Sequence, residues 1–305
     1  MNRGSDAMVR AGENCCSVAA MSGIDPTAAP LFDRRAWRLH RERGGDGVDF
    51  LHREVAERLI DRLDLVDRDF AAALDLGARD GALAGVLAGR KGCASIVAAE
   101  PSPRLLAAAA AHRVCVDPEL IPFRDTSFDL VASCLALHWC ADLPGALIQL
   151  RRALKPDGLL LAAMLGGSTL VELRTALFEA ELAEEGGVSP RVSPTVELGE
   201  AAALLQRAGF AMPVADSETI TVTYPDILAL MHDLRGMGET NALSARRRFL
   251  GRATLARAGA IYAERFAAAD RRITATFEVL FLTGWAPHPD HAKPRPGPRR
   301  EIGRR

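Results

Sequence analysis

Residues 74–84 read LDLGARDGALA, and this stretch decides the fold. An apolar run leads into Asp75 and Gly77, and Gly81 then opens an Ala- and Leu-rich segment. A strand that turns tightly into a helix brings backbone N–H groups and the helix N-terminus close to a ligand, and glycines permit that approach. We therefore predict a strand, a cofactor-binding loop and a crossover helix here.

Four further apolar segments follow at regular intervals: SIVAAE, RVCVD, FDLVASCLAL and GLLLAAML. Helix-like or turn-like sequence separates them, including a predicted helix from Pro101, and this pattern is typical of strand–helix units that form a parallel sheet. Two later runs, PVADSETITVTY and RRITATFEVLFLTGW, are expected to complete the other edge as an antiparallel pair, with inserted helices forming a lid. The prediction is an α/β fold: a Rossmann-like, doubly wound, mostly parallel seven-stranded sheet with an antiparallel edge strand and a helical lid.

The domain boundaries are predicted from changes in composition. Residues 1–28 lack periodicity and are expected to be a disordered lead. Residues 29–286 form one domain, with a core at about 50–165 and the lid and last strands at about 166–286. Residues 287–305 are rich in Pro and Arg and are expected to be a basic, mobile tail.

Charge and apolar content exclude several functional classes. The net charge of −1 gives no overall attraction to nucleic acid, so no nucleic-acid partner is predicted. No apolar run reaches the roughly 18 to 20 residues that cross a bilayer, which leaves only peripheral membrane contact open. The six cysteines form no Cys-x-x-Cys pair, and no metal site is predicted. We expect a bacterial protein of this kind in the cytoplasm and a eukaryotic one in the mitochondrial matrix.

Two acids close successive predicted strands, Glu100 the second and Asp117 the third. A carboxylate at such a position can accept hydrogen bonds from both hydroxyls of a ribose. The Gly-x-Gly-x-x-Gly pattern of dinucleotide-binding proteins is absent, and two acids would repel a pyrophosphate. They suit an adenosine that carries a cationic or zwitterionic group, so we predict S-adenosylmethionine as the cofactor.

The motifs DLGARDGALA, VAAEPSP, VDPELIPFRDTSFDLVAS, LHW and LKPDGLLL, in this order, resemble those of class I S-adenosylmethionine-dependent methyltransferases. The resemblance implies that Asp75, Gly77 and Gly81 face the methionine part of the cofactor. It likewise implies that Glu100 faces the ribose, and that Asp117 and Pro118 face the adenine. The remaining predicted cofactor contacts are Ala78, Arg79, Pro101, Ser133 and Leu135.

A longer resemblance covers most of the chain. GGSTLVELR, EEGGVSPRVSP, YPDILALMHDLRGMGETN and FLTGW resemble the family of the mitochondrial complex I assembly factor of methyltransferase fold and its bacterial relatives. That family implies a protein substrate, a subunit of the respiratory NADH dehydrogenase, and hydroxylation of arginine rather than methylation. The malonyl carrier-protein methyltransferases of biotin synthesis resemble the same region more distantly and supply the alternative of carboxyl methylation.

Arg79 departs from the methyltransferase pattern because it stands where the loop normally carries glycine. Its side chain must point away from the cofactor, occupy cofactor space, or reach the cofactor carboxylate or Glu100. Methyltransferase turnover therefore depends on how this residue is accommodated. A non-catalytic assembly or binding protein with a degenerate cofactor loop is the alternative of a different class.

Candidate substrate residues lie outside the cofactor motifs. His138 and Trp139 follow the fourth strand, where they either meet a substrate or cap the core. Glu172 and Arg174 either line the pocket or form a solvated face. The RGMGETN segment breaks a helix, and we expect Arg235, Glu239 and Asn241 to line the lid or contact substrate, with a helix cap as the competing interpretation. Arg246, Arg247 and Arg248 are expected at the surface or at a partner contact, and no catalytic residue is identified.

Overall fold

The structure is a computed structural model that describes residues 30–44, 48–109, 111–245 and 249–288. The predicted disordered lead, nearly all of the predicted basic tail, and the arginines at 246–248 lie outside these residues. Every statement below concerns the described part of the chain.

A seven-stranded sheet forms the centre of the protein, in the order β3-β2-β1-β4-β5-β7-β6. β7 pairs antiparallel with both β5 and β6, and the other pairs are parallel. The predicted doubly wound, mostly parallel sheet is confirmed, with its antiparallel pairing at the predicted side. The strands are β1 Ala72–Leu76, β2 Ser95–Glu100, β3 His112–Cys115, β4 Phe128–Cys134, β5 Leu154–Leu165, β6 Ala211–Tyr224 and β7 Ile273–Trp285.

Helices cover both faces of the sheet. They are α1 Arg34–Arg43, α2 Phe50–Asp64, α3 Ala82–Ala88, α4 Pro103–Leu106, α5 Leu143–Ala153, α6 Val171–Glu185, α7 Leu198–Arg207, α8 Ile227–Met237 and α9 Arg252–Phe266. One apolar cluster joins the sheet to α2, α3, α6, α8 and α9, and a second joins the other face to α5 and α7. α8 and α9 lie between β6 and β7 in the chain, as predicted for inserted helices.

The helix predicted from Pro101 is shorter than the sequence suggests. Ser102 caps α4 by accepting the Leu105 N–H at 3.3 Å, and Pro103 stands at the first helical position. Ala109 lies against the glycine loop, because a Cβ built at Gly81 would come within 2.6 Å of the Ala109 Cβ. The chain leaves the helix to reach this contact, so the alanines after Leu106 do not extend it.

α1 is held against the segment that ends α8. Gly238 has φ 79°, and a Cβ there would lie 2.9 Å from the Cα of Arg41. A Cβ at Gly44 would lie 2.4 Å from the carbonyl oxygen of Gly236. The RGMG motif therefore combines a left-handed helix end with close backbone contact, and both require glycine.

We expect Gly238→Ala to lower the free energy of unfolding by about 2 kcal/mol or more, because the left-handed backbone and the Arg41 contact both oppose a methyl group. Gly199→Ala is the matched control. Gly199 lies within α7 with no atom near its Cβ position, so this change should stabilise the protein by about 0.5–1 kcal/mol. Urea unfolding monitored by circular dichroism measures both. Equal stability of the two variants would contradict the proposed packing.

Candidate functional site

The loop between β1 and α3 is built on left-handed residues. Gly77, Arg79 and Gly81 have φ of 77°, 51° and 84°. The N–H groups of Gly77 and Ala78 donate to the carbonyl of Ala99 at 2.8 and 3.1 Å, which fixes the loop to the end of β2. The loop therefore keeps the tight strand-to-helix turn although a side chain stands at position 79.

A cavity of about 500 Å³ adjoins this loop, between α2 and α3. Asp75, Gly77, Ala78 and Arg79 line it, together with His52 of α2. The Asp75 carboxylate is buried and accepts the Ala84 N–H at 3.0 Å. Burial raises the pKa of Asp75 to about 7, so this carboxyl binds a proton much more readily than an exposed aspartate does.

Glu100 is fully buried at the end of β2 and receives four hydrogen bonds. Arg41 of α1 donates Nε at 3.2 Å and Nη2 at 2.8 Å, one to each carboxylate oxygen. The backbone N–H groups of Arg79 and Ser102 donate at 3.0 and 3.3 Å. Nη2 of Arg41 also reaches the Gly77 carbonyl at 3.2 Å, so one guanidinium joins α1, β2 and the loop.

Arg41 is charged despite its burial. Burial acts to lower its pKa, but the Glu100 carboxylate outweighs that effect and the pKa of Arg41 is raised. Nη1 of Arg41 has no hydrogen-bond partner in the described part of the chain. The guanidinium thus retains donor capacity at the ligand face of the sheet.

The second acid, Asp117, is also paired with α1. Nε of Arg34 lies 3.3 Å from Asp117, and Nη2 of the same guanidinium lies 2.5 Å from Glu119. Nη1 of Arg34 donates to the Trp139 carbonyl at 2.7 Å. Pro118 is buried beside the acid. α1 therefore lies across the carboxyl ends of β2, β3 and β4 and places a guanidinium at each predicted nucleoside-binding acid.

The side chain of Arg79 does not occupy the space between these acids. Its Nη1 donates to the Met237 carbonyl at 2.7 Å and lies 3.1 Å from Nε2 of His52. Burial and, secondarily, the charge of Arg41 lower the pKa of Arg79, and burial followed by Arg79 lowers the pKa of His52. Of the alternatives for Arg79, the structure shows a side chain directed to the end of α8 and a backbone N–H that reaches Glu100.

Three further predicted cofactor residues lie at the ends of β2 and β4. Ser133 is fully buried and donates its hydroxyl to the Leu76 carbonyl at 2.9 Å. Leu135 is left-handed with φ 49°, and the Pro101 carbonyl accepts the Cys115 thiol at 3.4 Å. A Cβ at Gly77 would lie 2.2 Å from the Ala136 Cβ, so the segment after β4 packs directly on the loop.

A second cavity, of about 430 Å³, brings together most of the predicted substrate residues. His138, Trp139, Arg235, Glu239 and Asn241 line it. Its other walls are largely apolar side chains of the β5 end, α6, α8 and β7: Leu165, Leu170, Leu173, Leu177, Met231, Leu234 and Phe277. The lid helices and the fourth strand therefore enclose one pocket.

Glu172 is the predicted substrate residue that the structure does not bring to this pocket. Its buried carboxylate accepts hydrogen bonds from the backbone N–H and the hydroxyl of Thr276. Arg174, its neighbour in α6, donates to the carbonyls of Gly167 and Thr169 at 3.2 Å. Glu172 fixes α6 to β7, Arg174 fixes it to the segment between β5 and α6, and neither residue lines this cavity.

Glu239 is held rigidly at the buried end of the second cavity. Its Oε2 lies 3.1 Å from both Nε2 of His138 and Nε1 of Trp139. Nδ1 of His138 faces the Leu165 N–H at 3.5 Å, which assigns the proton to Nε2 and makes it the donor. Burial acts to raise the pKa of Glu239, but His138, Arg41 and Arg79 outweigh it and the pKa is lowered.

The sequence analysis missed the contribution of α1 and of His52. Arg34, Arg38 and Arg41 recur at helical spacing on either side of Trp37. An arginine-rich helix face beside a predicted row of acids was the signal that could have indicated this packing. His52 carried no such signal, because it follows Leu51 within an otherwise ordinary amphipathic helix.

Two other features bear on function. Within the described ranges, no helix is long and apolar enough to cross a membrane. No group of three His, Cys, Asp or Glu residues suitable for a metal ion occurs among those residues.

Residues 74–162 match the methyltransferase domain family. The zebrafish (Danio rerio) protein named arginine-hydroxylase NDUFAF5, mitochondrial, is 42% identical over 273 residues, which cover 87% of this chain and 85% of the relative. The malonyl-[acyl-carrier protein] O-methyltransferase of Methylovorus sp. is 35% identical and covers 87% of this chain and 93% of its own.

A solved structure supports the fold alone. The YcgJ protein of Bacillus subtilis superimposes with a TM-score of 0.53 at 16% identity. The match covers 76% of this chain and 99% of YcgJ. The chain therefore belongs to the methyltransferase-fold family that includes the arginine hydroxylase NDUFAF5 and the malonyl-[acyl-carrier protein] O-methyltransferases.

Proposed function

We propose that this protein is an S-adenosylmethionine-dependent enzyme of methyltransferase fold that modifies a protein side chain during assembly of the respiratory NADH dehydrogenase. One observation carries the proposal: Arg41 and Arg79 lie between Glu239, which lines the second cavity, and Glu100, the acid at the end of β2. Glu239 interacts electrostatically with both Arg41 and Arg79, and these two residues bind Glu100. A substrate group in the cavity would therefore lie beside a nucleoside held at Glu100.

The polar groups at the strand ends fit S-adenosylmethionine if its ribose hydroxyls replace Arg41 as hydrogen-bond donors to Glu100. Glu100 already accepts four hydrogen bonds, which fills the capacity of a carboxylate. Ribose hydroxyls would therefore replace Arg41 at Glu100, and Asp117 with Pro118 would hold the adenine. The buried Nη1 of Arg41 lacks a partner among the described residues, and a cofactor carboxylate would satisfy it.

Bound S-adenosylmethionine would supply an activated methyl group on a sulfonium cation. The residues of this chain would align the acceptor and exclude water, since alignment alone accounts for much of the rate of such displacements. Asp75 and the loop glycines would hold the methionine part, and the apolar walls of the second cavity would enclose the acceptor.

The relatives at 37–42% identity are named arginine-hydroxylase NDUFAF5, and this name favours an arginine side chain as the modified group. Carboxyl methylation of a malonyl carrier protein is the second candidate, favoured by the exposed Arg235 on the cavity wall, which suits a carboxylate. We place the reaction where NADH dehydrogenase subunits are assembled, in the bacterial cytoplasm or the mitochondrial matrix.

Mass spectrometry of NADH dehydrogenase subunits, from cells with and without this protein, tests the proposed substrate. We expect one subunit arginine to gain a methylene only when the protein is present, or a single oxygen atom if the reaction is a hydroxylation that draws on molecular oxygen and an external two-electron reductant. Identical subunits in both strains, together with a methyl ester on the malonyl carrier protein, would overturn the proposal in favour of the second candidate.

Arg79→Gly should leave S-adenosylmethionine binding within a factor of about three, a change of less than 1 kcal/mol. The reason is that the side chain points to Met237 while the backbone N–H that reaches Glu100 is kept. Isothermal titration calorimetry measures the affinity of both proteins. Binding by the variant combined with no binding by the natural protein would show that Arg79 blocks the site and would support a non-catalytic role.

Nucleoside binding should change the fluorescence of Trp37. The Cζ of Arg41 lies 5.3 Å from the centre of the Trp37 ring, so release of Arg41 from Glu100 alters the surroundings of this indole. We expect the response to disappear in Trp37→Phe and to persist in Trp285→Phe, whose ring lies on β7. A saturable calorimetric signal without any change in Trp37 emission would contradict the exchange.

A further inference from the structure

The carboxylate of Glu239 uses only one of its two oxygens. Oε2 receives the N–H groups of His138 and Trp139 at 3.1 Å each, while Oε1 has no hydrogen-bond partner within the described ranges. The side chain is 5% exposed, so water does not readily compensate for the missing partner. An unsatisfied, buried carboxylate oxygen is costly, and its presence indicates a group that arrives with a ligand.

The walls of the cavity define the shape of that ligand. Leu170, Leu173, Leu234 and Phe277 give the cavity apolar walls, and Glu239 lines the same cavity. At about 430 Å³, the cavity has the size of a pocket for a single side chain or a small molecule. An aliphatic stem with a hydrogen-bond donor at its end fits these walls and ends at the only acidic side chain lining the pocket among the described residues.

The charge of Glu239 selects among possible donors. The pKa of this carboxyl is lowered by His138, Arg41 and Arg79, so the group is ionised at neutral pH. A cationic donor gains a charge-assisted hydrogen bond there, a neutral donor gains a weaker one, and an anionic group is repelled. Rigid support by His138 and Trp139 makes the selection sharper, because the carboxylate cannot turn away.

We propose that Glu239 is the specificity-determining residue of the second cavity and that its free Oε1 binds the cationic end of a guanidinium- or ammonium-bearing side chain. This inference rests on the proposed modification of a protein side chain and assigns the residue that recognises it. At this oxygen it disfavours a malonyl group, whose carboxylate would have to bind Arg235 on the same cavity wall instead.

The test compares two isosteric probes that differ in charge. N-acetyl-L-arginine methylamide and N-acetyl-L-citrulline methylamide have the same shape, but only the first is cationic. N-acetyl-L-lysine methylamide distinguishes an ammonium from a guanidinium. Monoethyl malonate represents the anionic alternative. The indole N–H resonance of Trp139, assigned with Trp139→Phe, reports occupancy because this group bonds to Glu239. Each probe is titrated into ¹⁵N-labelled protein with and without S-adenosylhomocysteine.

Glu239→Gln is the decisive variant, because an amide oxygen can still accept from His138 and Trp139 while the charge is removed. Glu264→Gln on the exposed surface of α9 is the matched control. We expect the natural protein and the control to bind the arginine probe about 10- to 100-fold more tightly than the citrulline probe. In Glu239→Gln this ratio should fall to about one, with thermal unfolding unchanged.

The inference is overturned if the natural protein binds both isosteric probes equally, binds neither, or prefers the malonate, or if Glu239→Gln keeps the preference for arginine. Calorimetry with S-adenosylmethionine separates this result from the proposed function. Charge selection without nucleoside binding would remove the proposed enzyme and keep the role of Glu239. Nucleoside binding without charge selection would keep the proposed enzyme and remove the role of Glu239.

Discussion

The ligand face of this protein depends on the buried ion pair between Arg41 and Glu100. Both side chains are fully removed from solvent, and the pair joins α1 to the end of β2 and, through the Gly77 carbonyl, to the loop after β1. A buried pair of this kind is close to neutral for stability as a unit, but removing one partner leaves an uncompensated charge that costs about 3–5 kcal/mol. The main effect of the pair is therefore to fix the position of α1, and its net contribution to the stability of the fold is small.

The position of α1 explains features that are otherwise unconnected. Gly238 at the end of α8 is required because a Cβ there would lie 2.9 Å from the Cα of Arg41. The end of α8 in turn receives the guanidinium of Arg79 at the Met237 carbonyl, and the segment after it carries Glu239 into the second cavity. The Arg41–Glu100 ion pair thus connects the glycine loop, the end of α8 and the second cavity.

This arrangement also relates the two binding steps. While Arg41 is bound to Glu100, the guanidinium neutralises the charge of that carboxylate. Glu239 is then the nearest unneutralised anion to the second cavity. A nucleoside whose ribose binds Glu100 would displace the Arg41 guanidinium from that carboxylate. Arg41 would then either move away from the cavity or bind the cofactor carboxylate. In either case the proposed cofactor would change the charge around Glu239, because Arg41 is one of the groups that lower the pKa of this carboxyl.

The sequence predicted the sheet because each strand carries its own apolar run, from Leu74 in β1 to Leu165 in β5, bounded by turns. It also predicted His138, Glu239 and Asn241 as candidate substrate residues, because a broken helix and an aromatic pair at a strand end are local signals, and the structure brings the three to one cavity. It did not predict the role of Arg41, whose partner lies 59 positions away in the chain. Glu172 was misplaced for the same reason, since its partner Thr276 lies 104 positions away.

The helix predicted from Pro101 shows the limit of propensity. A run of alanines favours a helix, but α4 ends at Leu106 and Ala109 packs against Gly81. Arg79 shows the opposite case. A residue that looked incompatible with the loop is accommodated, because its side chain has a carbonyl to bind at the end of α8.

The most direct test of the account is a crystal structure of the protein with S-adenosylhomocysteine. The account predicts ribose hydroxyls within hydrogen-bond distance of Glu100, Arg41 no longer paired with that carboxylate, and a cavity beside Glu239 that opens towards the sulfur of the ligand. An intact pair between Arg41 and Glu100 with the nucleoside bound elsewhere on the surface would contradict it.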